Sequence, residues 1–226
     1  MSLQTSLVTI TENEQNSGEL KMSSSEIRTA NCEKILQSAT KMFAQVGFAG
    51  TRVQSIADDC GLPKANVLYY FKSKEALYQA VLNQILTLWN SVFDKADTHD
   101  DPAQVLSDYI KEKMQLSLER PEASRVFALE IISGAEKLPF LSNELAQWFE
   151  SRTAVIQSWI DQGKMQPVNP KFLLFQIWAS TQHYADFGAQ IAGLNRGELS
   201  ESDYQQATEY LIKSILGGCG LTPPLD

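Results

Sequence analysis

Thr51-Arg-Val-Gln-Ser-Ile-Ala-Asp-Asp-Cys-Gly-Leu-Pro-Lys-Ala-Asn-Val-Leu-Tyr-Tyr-Phe71 is the stretch that decides the fold of this 226-residue chain. Thr51 is suited to cap a short helix whose Val53, Ile56 and Ala57 point inward. Gly61 supplies the positive φ that a sharp turn between two helices requires, and Pro63 belongs near the start of a second short helix. Two short helices joined by a tight glycine turn predict a helix-turn-helix, whose second helix enters the major groove of DNA.

On that reading the groove-facing residues are Lys64, Ala65 and Asn66. Lys64 reaches a guanine edge or a phosphate, Asn66 pairs with adenine, and Ala65 allows close approach to a thymine methyl. Tyr69 and Tyr70 flank the helix end, where one hydroxyl can meet a phosphate, while Leu68 and Phe71 are expected in the core. Thr51, Arg52 and Lys74, each near a helix start, are further phosphate candidates.

Working outward, Ile35, Leu36, Ala39, Met42, Phe43 and Val46 repeat at helical spacing, with Gly47 as a stop. Beyond the motif, Ser73 is a plausible N-cap for a helix carrying Leu77, Val81, Ile85, Leu88, Trp89 and Val92. The acidic run Asp97–Asp101 ends it, and Pro102 opens the next helix with Asp101 placed to cap it. Further helices are predicted at 102–118, 121–133, 140–163, 169–190 and 200–216, divided by Pro121, Pro139, the Gly163–Pro170 stretch and Gly193–Gly197. No alternating pattern competes, so the expected class is all-α: a three-helix head at 25–72 and a helical body at 73–226, after an arm at 1–24 too polar to fold alone.

Charge supports a nucleic-acid head on an acidic body. The chain carries −8 overall, yet residues 26–78 hold seven basic and five acidic side chains, a local +2. The three cysteines, Cys32, Cys60 and Cys219, form no metal-binding pair, and no segment reads as a signal peptide or membrane span, so a cytoplasmic protein without membrane partner, metal or cofactor is expected. His99 sits among acidic neighbours but is better explained by a solvated loop. His183 and Asp186 share a helix face without a nucleophile or phosphate-binding loop beside them, which argues against an enzyme.

Thr51, Ile56-Ala57, Gly61, Tyr69-Tyr70-Phe71 and Lys74, Glu75 and Leu77 together resemble the DNA-binding signature of the TetR family. The resemblance implies a repressor bound to double-stranded operator DNA as a homodimer, its last two long helices forming a four-helix bundle with a second subunit. Phe172, Phe175, Ile177, Trp178 and Phe187, with Tyr204, Ala207, Leu211 and Ile215, offer apolar surface for it. Leu68–Tyr78, Ala123–Phe127 and Ile177–Phe187 resemble the branch of that family released from DNA by a pyrimidine base, uracil or thymine. This implies that Trp178 and Gln182, four apart on one helix face, meet a flat ring with Trp89 and Phe93 as further walls. His183 either joins them or faces the partner subunit, and Glu130 either bonds an effector N–H or pairs with Arg125 or Lys137 in solvent. A more hydrophobic, drug-like effector is the alternative, and a helical adaptor without DNA function is a third reading.

Overall fold

The computed structural model describes residues 23–91, 93–138 and 141–224, and among them it forms ten helices and no strand. The all-α expectation holds. Val92, Pro139 and the arm up to residue 22 lie outside the described residues. The last two residues assigned to that arm are helical in role: Ser23 caps α1 (Ser24–Gly50) in a reciprocal capping box with Glu26.

Helix α1 is broken where the glycine stop was expected, since Gly47 takes φ 68° and ψ 179°. Then come α2 (Val53–Cys60) and α3 (Lys64–Phe71). Gly61 between them is left-handed at φ 69°, and the amides of Gly61 and Leu62 close back on Asp58 and Ala57 carbonyls. That pattern caps α2 and turns the chain within three residues. Ile35, Ala39 and Phe43 of α1 bury against Ile56 and Ala57 of α2 and Val67 of α3. Val67 is therefore the fully buried anchor of α3; Phe71 packs against the same core, partly buried, as expected, whereas Leu68 is partly buried and is not among the side chains packed on it, a correction to that half of the expected pair.

The body comprises α4 (Lys74–Asn90), α5 (Pro102–Glu119), α6 (Pro121–Ile132), α7 (Leu141–Asp161), α8 (Pro170–Asp186), α9 (Gly188–Asn195) and α10 (Glu201–Gly218). Ser73 and Asp101 cap α4 and α5 as their positions predict. The expected helix at 169–190 is two helices, because Phe187 at φ −109° and ψ 24° interrupts it just before Gly188. The acidic loop is also more organised than a solvated one: Lys164 Nζ donates to the carbonyls of Thr98, His99 and Asp100 at 3.0–3.1 Å. No group of three metal-ligating side chains occurs among the described residues.

Two apolar cores result. The first joins the head to α4 and α6 through Tyr78, Val81, Leu82, Trp89, Ala123 and Val126. The second lies among α5, α7, α8 and α10, around Leu106, Ile110, Trp159, Leu174, Ile177 and Leu216.

Candidate nucleic-acid interface and effector site

Lys64, Ala65 and Asn66 occupy the first turn of α3 and are all exposed, with no side-chain partner among the described residues. Buried Val67 follows them, so the turn projects outward from a fixed base. Arg52, exposed at the N-cap of α2, makes no capping bond, and its guanidinium has no partner among the described residues.

The two tyrosines divide their labour. Tyr69 is 65% exposed, with the Lys72 ammonium 5.3 Å from its ring centre. Tyr70 turns inward, and its hydroxyl accepts from Asn31 Nδ2 of α1 at 3.2 Å. Only Tyr69 presents its ring on the outer surface. Lys72 itself, at φ 66° and ψ −49°, forms the tight link into α4, and the Ser73 amide bonds Phe71 O at 2.7 Å.

Thr51 and Lys74 require correction. Thr51 is 3% exposed, and its hydroxyl faces the carbonyls of Gly47 at 2.8 Å and Met42 at 3.2 Å. It therefore holds the broken end of α1 instead of capping α2 or meeting a phosphate. Lys74 Nζ donates to Phe48 O and Thr51 O at 2.9 and 3.1 Å and lies 4.4 Å from the Phe48 ring centre. Its charge terminates α1, and two of its three N–H donors are spent there, so it is not the wholly free phosphate ligand its position predicts.

The expected effector residues do not form one wall. Trp89 belongs to the first core, edge-on to Phe127 at 5.1 Å, whereas Trp178 packs beside the second core against Trp148, Phe149 and Phe175. Phe93 lies beyond the end of α4, fully buried, stacked on Tyr109 at 4.9 Å and edge-on to Trp159. It extends the Trp178 side through Tyr109, not the Trp89 side. Gln182 is partly buried and its carboxamide has no hydrogen-bond partner among the described residues.

Glu130 is neither solvent-paired nor beside Trp178. It is 5% exposed, accepting from Tyr78 Oη at 3.1 Å and from the Lys137 amide at 2.7 Å. Burial and the Glu130 carboxylate push the Tyr78 phenol above its ordinary range. The pair clamps α6 to α4 near the head. His183 is exposed and stacks on Phe187 at 4.9 Å, on the outer face of α8 with Phe172.

What joins the two indoles is a residue pair that sequence reasoning missed. Tyr109 and Lys113 lie one turn apart on α5. Tyr109 Oη accepts from Trp178 Nε1 at 2.7 Å, and Lys113 Nζ sits 4.1 Å from the Trp89 ring centre. Lys113 is 3% exposed, and its ammonium has no hydrogen-bond acceptor among the described residues. Desolvation drives its pKa down to about 7, partly opposed by the charge of Asp186. Asp186, bonded by the Ser124 hydroxyl at 2.6 Å, is itself pushed up by burial. Desolvation likewise pushes the Tyr109 phenol up to about 12. The available signal was Lys113's register, since it falls on the same stripe as Leu106, Tyr109, Ile110 and Ser117.

Comparison with known proteins covers both halves of the chain. Residues 35–81 match the family model described as bacterial regulatory proteins, tetR family, and residues 82–222 match the YcdC-like protein C-terminal region. The HTH-type transcriptional regulator RutR of Escherichia coli (strain K12) is 38% identical over 205 residues, covering 89% of this chain and 97% of that one. The HTH-type transcriptional repressor KstR2 of Mycolicibacterium smegmatis is 24% identical, covering 82% and 89%. Among solved structures, the haemolysin II transcriptional regulator HlyIIR superposes with a TM-score of 0.60 at 23% identity, covering 83% of this chain and 97% of that one. AibR in complex with isovaleryl coenzyme A and operator DNA superposes with a TM-score of 0.62 at 18% identity, covering 86% and 100%.

Proposed function

The chain belongs to the TetR family of bacterial regulatory proteins, and from that premise we propose that it is a ligand-responsive DNA-binding transcriptional repressor, homodimeric and cytoplasmic, released from its operator by a pyrimidine base. The carrying observation is the first turn of α3, where Lys64, Ala65 and Asn66 stand exposed and unpartnered on a helix pinned by Val67. Asn66 and Lys64 supply base-edge and phosphate or guanine contacts, while Arg52 and Tyr69 flank them as backbone contacts. We take residues 25–72 as the head and 73–226 as the body.

Dimerisation is supported by the outer faces of α8 to α10. Phe172, Phe187, Leu194 and Tyr210 are 66%, 52%, 80% and 68% exposed. Ser214, Gly217 and Gly218 on α10 are small residues that let helices approach closely. Ile177, Leu211 and Ile215, counted as interface candidates from sequence, serve the monomer core instead. No helix among the described residues is long and apolar enough to cross a membrane, and a DNA target suits a cytoplasmic site. The relatives are named as transcriptional regulators, and no catalytic role is proposed.

The effector half of the reading rests on Gln182, whose carboxamide can donate to a ring carbonyl and accept from the adjacent ring N–H. Trp178 one turn away offers an indole face. The aromatic group of Trp148, Phe149, Phe175 and Trp178 favours a second reading, a more hydrophobic effector. The test is fluorescence anisotropy of the protein on DNA from upstream of its own gene, titrated with salt and then with uracil or thymine. A salt-sensitive specific complex that dissociates with the base is expected. A protein that binds no upstream DNA refutes the repressor, and one that binds DNA but releases it only for apolar compounds refutes the pyrimidine.

A further inference from the structure

A cleft of about 940 Å³ opens at the joint between head and body, a volume within the range of small-molecule sites. From the head it is lined by α1 and the end of α2, and from the body by α4 and the turn that leads from α5 into α6. Ile85 and Leu88 of α4, with Ala123 of α6, give it an apolar floor. It is distinct from the region of Trp178 and Gln182, none of whose residues line it.

The charged groups around this cleft are only partly satisfied. Lys41 is paired with Asp59 at 2.7 Å, and Glu119 accepts from Gln115 Nε2 at 2.6 Å. Glu33 and Lys34 of α1, and Arg120 and Glu122 at the α5–α6 turn, have no side-chain partner among the described residues. Any one of them alone would be an ordinary solvated surface charge. Together they place one unpaired cation and one unpaired anion on the head side and the same on the body side, and among the described residues no ion pair spans the gap.

That arrangement selects against singly charged occupants. A simple anion gains Lys34 and Arg120 but meets Glu33 and Glu122, and a simple cation meets the reverse. A molecule with opposite charges at its two ends avoids both conflicts, and the apolar floor adds a place for its middle. We propose that the cleft binds a short zwitterionic peptide of dipeptide size with apolar side chains. Its carboxylate lies on the Arg120 guanidinium, whose planar fork matches a carboxylate. Its ammonium lies on Glu33, and its side chains cover Ile85 and Leu88. Such a ligand has one end on α1 and the other on the α5–α6 turn, so it ties the head to the body from a place separate from the effector reading, and neither site depends on the other.

The experiment is isothermal titration of the full-length protein with the dipeptide Leu-Leu, its N-acetyl form and its C-terminal amide, repeated on Glu33→Gln and Arg120→Gln. Both side chains are exposed, and melting curves of the ligand-free variants check that they fold. Leu-Leu should bind the parent and weaken about 10-fold when either end is blocked or either residue is replaced, the low end for a hydrogen bond to a charged group because the cleft is open to solvent. The N-acetyl form, lacking the ammonium, should lose affinity again in Arg120→Gln but not in Glu33→Gln. A parent that takes up none of the three compounds overturns the proposal, as does one that binds a blocked form as well as Leu-Leu. Binding of Leu-Leu that both folded variants retain in full places the dipeptide elsewhere and overturns it too.

Discussion

Lys113→Met makes a sharp statement about stability without any ligand. The lysine's fall from an ordinary 10.5 to about 7 on folding corresponds to about 5 kcal/mol of destabilisation of the folded state at pH below 7. The sign follows from proton binding: between the two values the unfolded chain holds a proton that the folded chain does not, so stability rises with pH from about 7 toward 10.5. Methionine removes that penalty but also removes the attraction to the Trp89 ring, about 0.5 to 2 kcal/mol. The net expectation at pH 6 is a gain of about 3 kcal/mol, raising Tm by about 6–12 °C for a chain of this size. Asp186 on α8 is the charge that faces Lys113, with Arg125 and His183 acting on Asp186 in turn. All three stay in the variant, so the part of the pH slope that disappears belongs to Lys113. The assay is urea unfolding of parent and variant at one protomer concentration from pH 6 to 9.5, since oligomerisation makes stability concentration-dependent. Equal or lower stability of the variant at pH 6, with an unchanged slope above pH 7, would refute the reasoning.

Three further predictions concern the head and its attachment. Asn66→Ala should cost about 1–3 kcal/mol on the operator and leave the salt dependence alone, whereas Lys64→Ala should flatten the slope of log K against log salt by about 1 if it meets a phosphate. Anisotropy on operator and scrambled duplexes separates the two, and a slope change in Asn66→Ala would reverse the assignment. Thr51→Val should lower unfolding free energy by about 1–2 kcal/mol by removing a buried hydroxyl from the end of α1. An unchanged melt with a flatter salt slope would restore Thr51 as a phosphate contact. Tyr78→Phe leaves the buried Glu130 carboxylate short of a donor and should cost about 1–3 kcal/mol in urea unfolding; no loss would mean that the clamp between α4 and α6 is not holding.

The parts of the chain legible in advance are those specified by neighbours in sequence. Gly61, Ser73, Asp101 and the break at Gly47 each act within four residues of their own position, and each does what its residue type predicts. Thr51 shows where that logic stops. Its hydroxyl has a local use as a cap and a tertiary use at Met42 and Gly47, and the tertiary use prevails because burying an unmet hydroxyl costs more than an exposed N-terminal amide that water can serve. Lys74 and Tyr70 are diverted in the same way, toward Phe48 and Asn31. Trp89 and Trp178 could be marked as aromatic and inward-facing, but helical spacing carries no information about which helices meet. Phe93 went astray for a simpler reason: α4 ends at Asn90, so a count of turns from Trp89 no longer applies.

Helix α4 is where the head and the effector region meet physically. Its first residue, Lys74, holds the carbonyls of Phe48 and Thr51 at the end of α1, and Tyr78 one turn later is tied to Glu130 of α6. Near its other end Trp89 lies under the Lys113 ammonium. A helix of 17 residues is about 25 Å long and stiff, so a displacement imposed at Trp89 cannot be absorbed within it. A ligand that rearranged Lys113 would therefore press on the same element that fixes α1 and, through the tight turn at Lys72, α3. In a two-fold dimer a small tilt of each α3 changes the separation of two recognition helices, and operator affinity depends steeply on that spacing. Coupling of this kind requires that the ligand distinguish two positions of α4. The cation–π contact at Trp89 is an interaction by which it could, because any ligand that drew the Lys113 ammonium away would break that contact.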